Sequence, residues 1–163
     1  MTAEYVPGRW ARLVAAVLGT RAGAWVMARV MHRLDSAGLR LSGGRWLLSA
    51  KLAGLPVALL TTTGRRSEQP RTAPVLAIPD GADYILVASN WGQRTHPAWY
   101  HNLRANPDCV LAVKGEAQRV RARQVTGEER ARRWQRALAA YPGYAAYARR
   151  AGREIGVFVV GKR

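Results

Sequence analysis

The sequence predicts an α+β fold in which an antiparallel sheet follows a helical N-terminal segment. Two observations favour the sheet: β-branched and apolar runs begin at residue 57, and such runs flank two hairpin signals, Asp80-Gly81 and Lys114-Gly115-Glu116. Helices are indicated by apolar residues at helical spacing before residue 36 and again after residue 126. We expect an N-terminal helical segment and connector over residues 1–53 and a sheet domain over residues 54–163, together forming one globular unit.

Composition restricts the class of protein. The 163 residues are 48% hydrophobic, which suffices for a core and argues against global disorder. The formal charge of +16, from 26 basic and 10 acidic residues, indicates an anionic partner: a nucleic acid, an anionic lipid or an acidic cofactor. The single Cys109 cannot form an intrachain disulfide, which fits a reducing, cytoplasmic setting.

Two N-terminal stretches are amphipathic. Their apolar faces contain Trp10, Leu13, Val14, Val17 and Leu18 in the first, and Met27, Val30, Met31 and Leu34 in the second. Arginines flank both faces, and no apolar run approaches the roughly eighteen residues of a membrane span. Two interpretations stay open: the helices pack on the sheet, or they lie peripherally on the anionic inner face of the cell membrane.

The central part of the chain alternates strands and turns. Val57–Thr63 is a strand that ends at Gly64, and Arg71–Pro79 and Tyr84–Ser89 form a hairpin around Asp80-Gly81. That hairpin should bring Arg71 and Ser89, near its open ends, close together. A short helix over Pro97–Asn106 follows, because proline is favoured at a first helical turn.

The last part of the chain contains a second hairpin, two helices and a closing strand. These elements are Cys109–Val113 paired with Gln118–Val125, then Gly127–Tyr141, Tyr144–Arg150 and Ile155–Val160. Thr126 is the expected N-cap of the first of these helices. Arg119, Arg121 and Arg123 share one face of the hairpin, which we interpret as a solvated sheet face rather than a site.

One polar loop carries the strongest binding signal. Arg65, Arg66, Ser67 and Arg71 surround the turn after Gly64, and three guanidiniums with a hydroxyl and free backbone N–H groups suit a phosphate or carboxylate. A solvated basic loop is the alternative interpretation.

The candidate groups for protein-based chemistry are sparse. His96 and His101 lack an acidic ligand pair, so no metal site is expected. No Ser-His-Asp set and no phosphate-binding glycine motif is present. A site that binds strongly but has few reactive side chains is typical of a redox cofactor.

Five motifs follow one another between residues 61 and 147. They are Thr61-Thr62-Thr63-Gly64-Arg65-Arg66-Ser67, Arg71-Thr72-Ala73-Pro74, Val87-Ala88-Ser89-Asn90, His96-Pro97-Ala98-Trp99-Tyr100-His101-Asn102-Leu103 and Tyr141-Pro142-Gly143-Tyr144-Ala145-Ala146-Tyr147. In order and spacing they resemble the deazaflavin (F420)-dependent nitroreductase family, over roughly residues 54–160. The resemblance implies a split β-barrel similar to that of the flavin-mononucleotide oxidases, with peripheral helices. It also implies coenzyme F420 as cofactor, with flavin mononucleotide (FMN) as the alternative.

The resemblance also implies site residues. Phosphate or tail carboxylates would be held by Arg65, Arg66, Ser67 and Arg71; backbone contacts along the cofactor would come from Thr72, Ala73, Pro74, Val75, Val87, Ala88, Ser89 and Asn90; and Ala98, Trp99, Tyr100, His101 and Asn102 would close over it. Tyr141, Tyr144 and Tyr147 would bind the substrate, with Ser89 and Tyr144 as catalytic hydrogen-bond donors. Core packing is the alternative role for each tyrosine.

Two departures from the family pattern affect these expectations. Glu68 stands where many relatives have glycine, which adds a carboxylate to the arginine loop. Asn90-Trp91 stands where some relatives have Lys-Gly, which removes a cation and adds a bulky ring near the substrate side. The acceptor therefore cannot be copied from any one relative.

The activity implied by the resemblance is hydride transfer from reduced F420 to an electrophilic small molecule, such as a quinone, with nitroaromatics as further acceptors. A non-enzymatic split-barrel protein that binds a flavin, a fatty acid or another ligand is the alternative. Specific nucleic-acid binding is not expected, because the arginines are dispersed and no RNA-binding aromatic signature accompanies them. Family members are often dimeric, so a homodimer is among the expected states.

Overall fold

The computed structural model describes residues 57–162. They form seven strands and three helices: β1 Val57–Thr63, β2 Pro70–Leu76, β3 Ile78–Asp80, β4 Asp83–Val87, α1 Ala98–Ala105, β5 Asp108–Val113, β6 Glu116–Val125, α2 Gly127–Ala140, α3 Gly143–Ala151 and β7 Val157–Gly161. A single 3-10 turn, Asn90–Gly92, lies between β4 and α1. The predicted N-terminal helices and the domain boundary at residue 54 lie outside the described residues and stay predictions.

The seven strands form one antiparallel sheet in the order β2-β1-β5-β6-β7-β4-β3. Strands β2 and β3 occupy opposite ends of this order, yet only Ala77 separates them in the chain. Ala77 is 1% exposed, so the chain bends there inside the core. Because one continuous segment pairs with β1 before the bend and with β4 after it, the sheet curls into a half-barrel. The α+β prediction is confirmed for the described residues.

Both predicted turns are present. A two-residue turn beginning at Gly81 joins β3 to β4, and the φ of +70° at Gly81 suits the first position of a type II′ turn. Lys114 and Gly115 join β5 to β6 with φ values of +52° and +89°, as a type I′ turn requires. Both turns match the twist of their strands and so fix the strand register.

The first hairpin is shorter than predicted. Its pairing stops at Ile78 opposite Ile85, because the chain leaves β4 at the bend. Arg71 therefore pairs with Thr62 on β1 rather than extending the hairpin towards Ser89. The expectation that this hairpin brings Arg71 beside Ser89 is wrong, and strand β1 positions Arg71 instead.

Two apolar clusters pack on opposite faces of the sheet. Alternate residues of β4 and β7 point to opposite sides, as in any strand: Leu86 and Phe158 join the cluster beneath α1, whereas Ile85 and Val157 join the cluster beneath α2 and α3. All four are at most 1% exposed. Helix α1 therefore covers one face of the half-barrel, and the α2–α3 pair covers the other.

An ionic network attaches α2 to the sheet. The Asp80 carboxylate, at the end of β3, lies 3.1 Å from Arg133 Nε and also contacts Arg136. Arg133 reaches Glu129 at 3.0 Å, and Glu129 forms two 2.7 Å hydrogen bonds with Arg123 of β6. These bonds from Arg123 hold the pKa of Glu129 at about 2, so the Glu129 carboxylate is ionised at neutral pH.

The remaining sequence predictions for the sheet and helices can be checked directly. Arg119, Arg121 and Arg123 are exposed on one face of β6, which confirms the solvated face. Thr126 occupies the N-cap position of α2, but its hydroxyl makes no capping hydrogen bond. None of the helices within residues 57–162 is long and apolar enough to cross a lipid bilayer.

Candidate functional site

Residues 64–69 join β1 to β2 as a tight loop that its own backbone holds. The N–H of Glu68 donates to the Gly64 carbonyl at 2.8 Å, and the N–H of Gly64 donates to the Gln69 carbonyl at 2.9 Å. A Cβ at Gly64 would lie 2.6 Å from Ser67 Oγ and 3.1 Å from the Gln69 carbonyl oxygen, so a larger residue there would displace the Ser67 side chain. Glu68 has a φ of +56°, in the left-handed region that glycine adopts most readily.

The loop gathers the predicted anion-binding groups and leaves them free. Arg65, Arg66, Ser67 and Arg71 are exposed, and Arg71 Nη2 donates to Ser67 Oγ at 3.4 Å. Within residues 57–162, no carboxylate forms an ion pair with these three guanidiniums. In the same part of the chain, no acceptor lies opposite the N–H groups of Arg66 and Ser67. The loop therefore offers positive charge and unused donors to an anion.

Asn102 of α1 fixes this loop from beneath. Its Oδ1 accepts a hydrogen bond from the N–H of Arg65 at 3.1 Å, and its Nδ2 donates to Thr62 Oγ1 at 2.9 Å. Asn102 is 5% exposed, and Thr62 is also buried. Its amide is therefore engaged within the protein and holds the loop, whereas a direct contact between Asn102 and the cofactor stays a prediction.

Two histidines, His96 before α1 and His101 within it, lie near arginines of the site. The pKa of His96 is lowered by burial and by the nearby charge of Arg153, and the pKa of His101 is lowered by burial and by Arg65 and Arg104. Both imidazoles are therefore neutral at pH 7. Sequence analysis did not identify Arg104 or Arg153, because neither lies in a recognised motif.

Arg153 organises the segment that follows β4. Its Nη2 donates to the carbonyls of Thr95 at 2.9 Å, Ala88 at 3.2 Å and Ser89 at 3.4 Å, and its Nη1 lies 3.0 Å from His96 Nδ1. The N–H groups of Ala88 and Ser89 are also used, by the Gly156 and Val87 carbonyls. The N–H and carbonyl groups of Ala88 and Ser89 are thus all engaged within the protein.

The predicted cofactor contacts separate into accessible and buried groups. The partly or fully exposed residues are Arg65, Arg66, Ser67, Arg71, Thr72, Ala73, Pro74, Ser89, Asn90, Ala98 and His101; the buried ones are Val75, Val87, Ala88, Trp99, Tyr100 and Asn102. The accessible residues come from the arginine loop, from β2, from the start of the segment that follows β4, and from α1. The buried residues form the packing beneath them.

The predicted substrate tyrosines lie together but are deeply buried. Tyr141, Tyr144 and Tyr147 are each at most 3% exposed and belong to the cluster beneath α2 and α3. The hydroxyls of Tyr141 and Tyr147 are 3.0 Å apart, and the Tyr144 ring meets the Tyr141 ring edge-on at 5.1 Å. Burial raises the pKa of all three hydroxyls, so they stay protonated at physiological pH. No hydrogen bond joins Ser89 to Tyr144.

The turn between Ser89 and Gln93 has an unusual backbone. Asn90, Trp91 and Gly92 have consecutive φ values of +48°, +56° and +73°. Arg150 Nη2 donates to the Trp91 carbonyl at 2.6 Å, and the Trp91 ring lies 6.3 Å from the Tyr147 ring in an edge-on arrangement. Among the described residues, Trp91 is the large hydrophobic side chain left exposed, at 36%.

The chain is similar in sequence to one family of known proteins. Residues 31–162 match the sequence profile of the F420H(2)-dependent quinone reductase family. An F420H(2)-dependent quinone reductase of Mycobacterium tuberculosis strain H37Rv is 40% identical over 106 residues, which are 63% of this chain and 70% of that protein.

Two solved structures are similar as well. An F420-H2 dependent reductase (FDR-A) has 39% identity and a TM-score of 0.60, covering 64% of this chain and 93% of its own. A second structure, described as a domain-swapped dimer, has 34% identity and a TM-score of 0.62, covering 83% and 96% of the two chains.

Proposed function

The chain belongs to the F420H(2)-dependent quinone reductase family, and we propose that it transfers a hydride from reduced coenzyme F420 to a quinone. The observation that carries the proposal is the exposed arginine loop, whose guanidiniums have no carboxylate partner among residues 57–162. The chain is an oxidoreductase whose cofactor is F420, and its substrate is a small molecule. Nitroaromatics are proposed as additional acceptors.

The residues present fit the anionic half of F420. A phosphodiester and a glutamate tail need hydrogen-bond donors that no internal acid competes for. Arg65, Arg66 and Arg71 supply charge, and the N–H groups of Arg66 and Ser67 supply backbone donors. The exposed side of β2, from Thr72 to Pro74, continues directly from Arg71 and provides a surface on which the rest of the cofactor can lie.

The residues of this chain would bind, orient and shield the reactants. F420, when bound in reduced form, supplies the hydride. The hydroxyl of Ser89 is the proposed hydrogen-bond donor to the acceptor oxygen, where negative charge develops during reduction. The tyrosine hydroxyls keep their protons because burial raises the pKa of each, so Tyr144 can donate a hydrogen bond but cannot serve as a base. The quinol anion that hydride addition would produce takes one proton from water to complete the quinol.

Cofactor choice is the first test of this proposal. Fluorescence titration should show tighter binding of F420 than of FMN, because the loop matches an extended polyanionic tail. Equal or tighter binding of FMN would contradict it. Arg65→Ala, Arg66→Ala and Arg71→Ala should each weaken F420 binding by about 1.5–3 kcal/mol if a charged hydrogen bond is lost. Arg132→Ala, which removes the same charge from exposed α2, is the matched control.

The acceptor side needs a separate test. Tyr144→Phe keeps the ring and removes only the hydroxyl, so it should lower quinone turnover more than F420 affinity if that hydroxyl stabilises the acceptor. Unchanged turnover with a folded variant would leave the three tyrosines as core residues. We also propose a cytoplasmic location and a homodimer; light scattering on the purified chain measures the latter.

A further inference from the structure

Trp91 occupies a backbone conformation that its side chain disfavours. Its φ of +56° is a true outlier for a bulky residue, and its neighbours Asn90 and Gly92 share the left-handed conformation. Such strain persists only where the surrounding structure enforces it, and it concentrates at functional sites. The same residue exposes 36% of its surface although it is large and apolar. Neither feature benefits the folded state by itself.

Three interactions hold the turn that carries Trp91. Arg150 of α3 donates from Nη2 to the Trp91 carbonyl at 2.6 Å and lies with its guanidinium 5.2 Å from the centre of the Tyr147 ring. The Asn90 side chain donates to the Thr95 carbonyl at 3.0 Å. Gly92 lies so close to α3 that a Cβ there would come within 3.0 Å of Tyr147 Cα. The turn therefore packs directly against α3.

The docked indole extends the buried tyrosine cluster to the surface. Trp91 meets Tyr147 edge-on, and the Tyr147 hydroxyl lies 3.0 Å from the Tyr141 hydroxyl. Ser89, the proposed donor to the acceptor, stands two residues before Trp91 on the same turn. An exposed indole fixed at this point offers a flat π-surface, on which a planar aromatic ring gains free energy by offset stacking.

We propose that Trp91 is a specificity-determining residue that stacks on the ring of the acceptor, and that Arg150 is the positioning residue that holds it. This inference rests on the proposed quinone reductase activity. It predicts a preference for acceptors with fused aromatic rings, because a naphthoquinone presents more stacking surface than a benzoquinone. The cofactor's anionic tail, which the arginine loop receives, is not involved.

The test compares Trp91→Gly, Trp91→Phe and Arg150→Ala with the wild-type chain. Steady-state assays use F420H2 with menadione, a naphthoquinone, and with 1,4-benzoquinone; fluorescence titration gives the F420 Kd. Trp91→Gly should raise the menadione KM by about fivefold, the size expected for one lost aromatic contact, with a smaller change for benzoquinone and for kcat. Trp91→Phe should restore most of the preference, and Arg150→Ala should raise the menadione KM in part. Arg149→Ala, an exposed neighbour on α3, is the matched control.

Thermal melting separates recognition from a structural role. Trp91→Gly relieves the positive φ but removes the packed part of the indole, so its melting temperature checks that the variant folds, and its raised menadione KM is the readout. The inference would be overturned, and the proposed function would stand, if the active variants had the same KM as the wild type for both quinones. A lower melting temperature with an unchanged KM would have the same meaning. A wild-type chain that reduces no quinone would overturn both.

Discussion

Asn102 offers the sharpest test of how the arginine loop is held. Replacing it with alanine removes the acceptor of the Arg65 N–H and the donor to Thr62 Oγ1, both at a position that is 5% exposed. Each neutral hydrogen bond contributes about 0.5–1.5 kcal/mol, so the two together give a loss of about 1–3 kcal/mol in the free energy of unfolding. For a chain of this length that corresponds to a fall of roughly 2–12 °C in the melting temperature.

The loss of stability should be accompanied by weaker cofactor binding. Without Asn102 the loop that carries Arg65, Arg66 and Ser67 loses its attachment to α1, and F420 must then restrict a more mobile loop when it binds. The assay pairs chemical denaturation with F420 titration of Asn102→Ala. Thr62→Val is the matched control, because it removes one hydrogen bond of Asn102 but leaves its bond to the Arg65 N–H in place.

The two variants should therefore differ in their F420 affinity as well as in their stability. Thr62→Val should lower stability by about 1 kcal/mol and leave the F420 Kd close to that of the wild type. Asn102→Ala should lower stability further and raise the Kd. If Asn102→Ala binds F420 as tightly as the wild type does, the loop does not depend on this amide, and the role assigned to Asn102 is refuted.

Three further perturbations follow from the same structure. Glu68→Gly should stabilise the protein by about 0.5–1 kcal/mol, because φ is +56° there, and should tighten F420 binding by removing a carboxylate. Asp80→Asn should destabilise it by about 1.5–3 kcal/mol in denaturant melts, because the Asp80 side chain is 7% exposed and Arg133 would keep only Glu129 as a charged partner. The free protein should lose thermal stability as the pH falls below 6.5, because the pKa values of His96 and His101 are lowered in the folded state. The unfolded chain then binds more protons than the folded one, so stability rises with pH across this window.

Each of these has a control in the same chain. Glu68→Gln removes the charge but keeps the strained φ, so it should change F420 affinity without the gain in stability. Asp108→Asn breaks an exposed pair with Arg121 and should change stability by less than about 1 kcal/mol. Replacing both His96 and His101 with glutamine should flatten the pH profile; a profile that stays as steep would assign it to other groups.

Local sequence signals predicted the elements but not the closure of the sheet. Strand β1 was predicted with the bounds it has, and both hairpins were found from their turn residues, because φ-permissive residues between apolar runs act over a few positions. The bend at Ala77 carries no such signal. An alanine between two strand-forming runs looks continuous, and only the pairing of distant strands decides that the chain turns there.

The candidate site also contains residues that local sequence signals predicted and residues that they did not. The arginine loop was predicted because its groups are consecutive in the chain. The roles of Asn102 and Arg153 depend on hydrogen bonds that span 37 residues and 57 to 65 residues, which no local pattern encodes. Glu68 and Trp91 were noted as changes of charge and size, whereas the structure shows that both also sit at positive φ.

The bend at Ala77 also determines how the polypeptide can be divided. Pro70–Leu76 forms one end of the sheet and Ile78–Asp80 forms the other. A cut at Ala77 therefore breaks the covalent link between the two ends of the sheet. A cut in the exposed turn at Lys114 and Gly115 leaves every strand pairing intact. New termini are best tolerated in exposed turns whose backbone is not needed for packing. Circular permutants or split reporters built on this scaffold should therefore open at that turn and keep residues 70–80 uninterrupted.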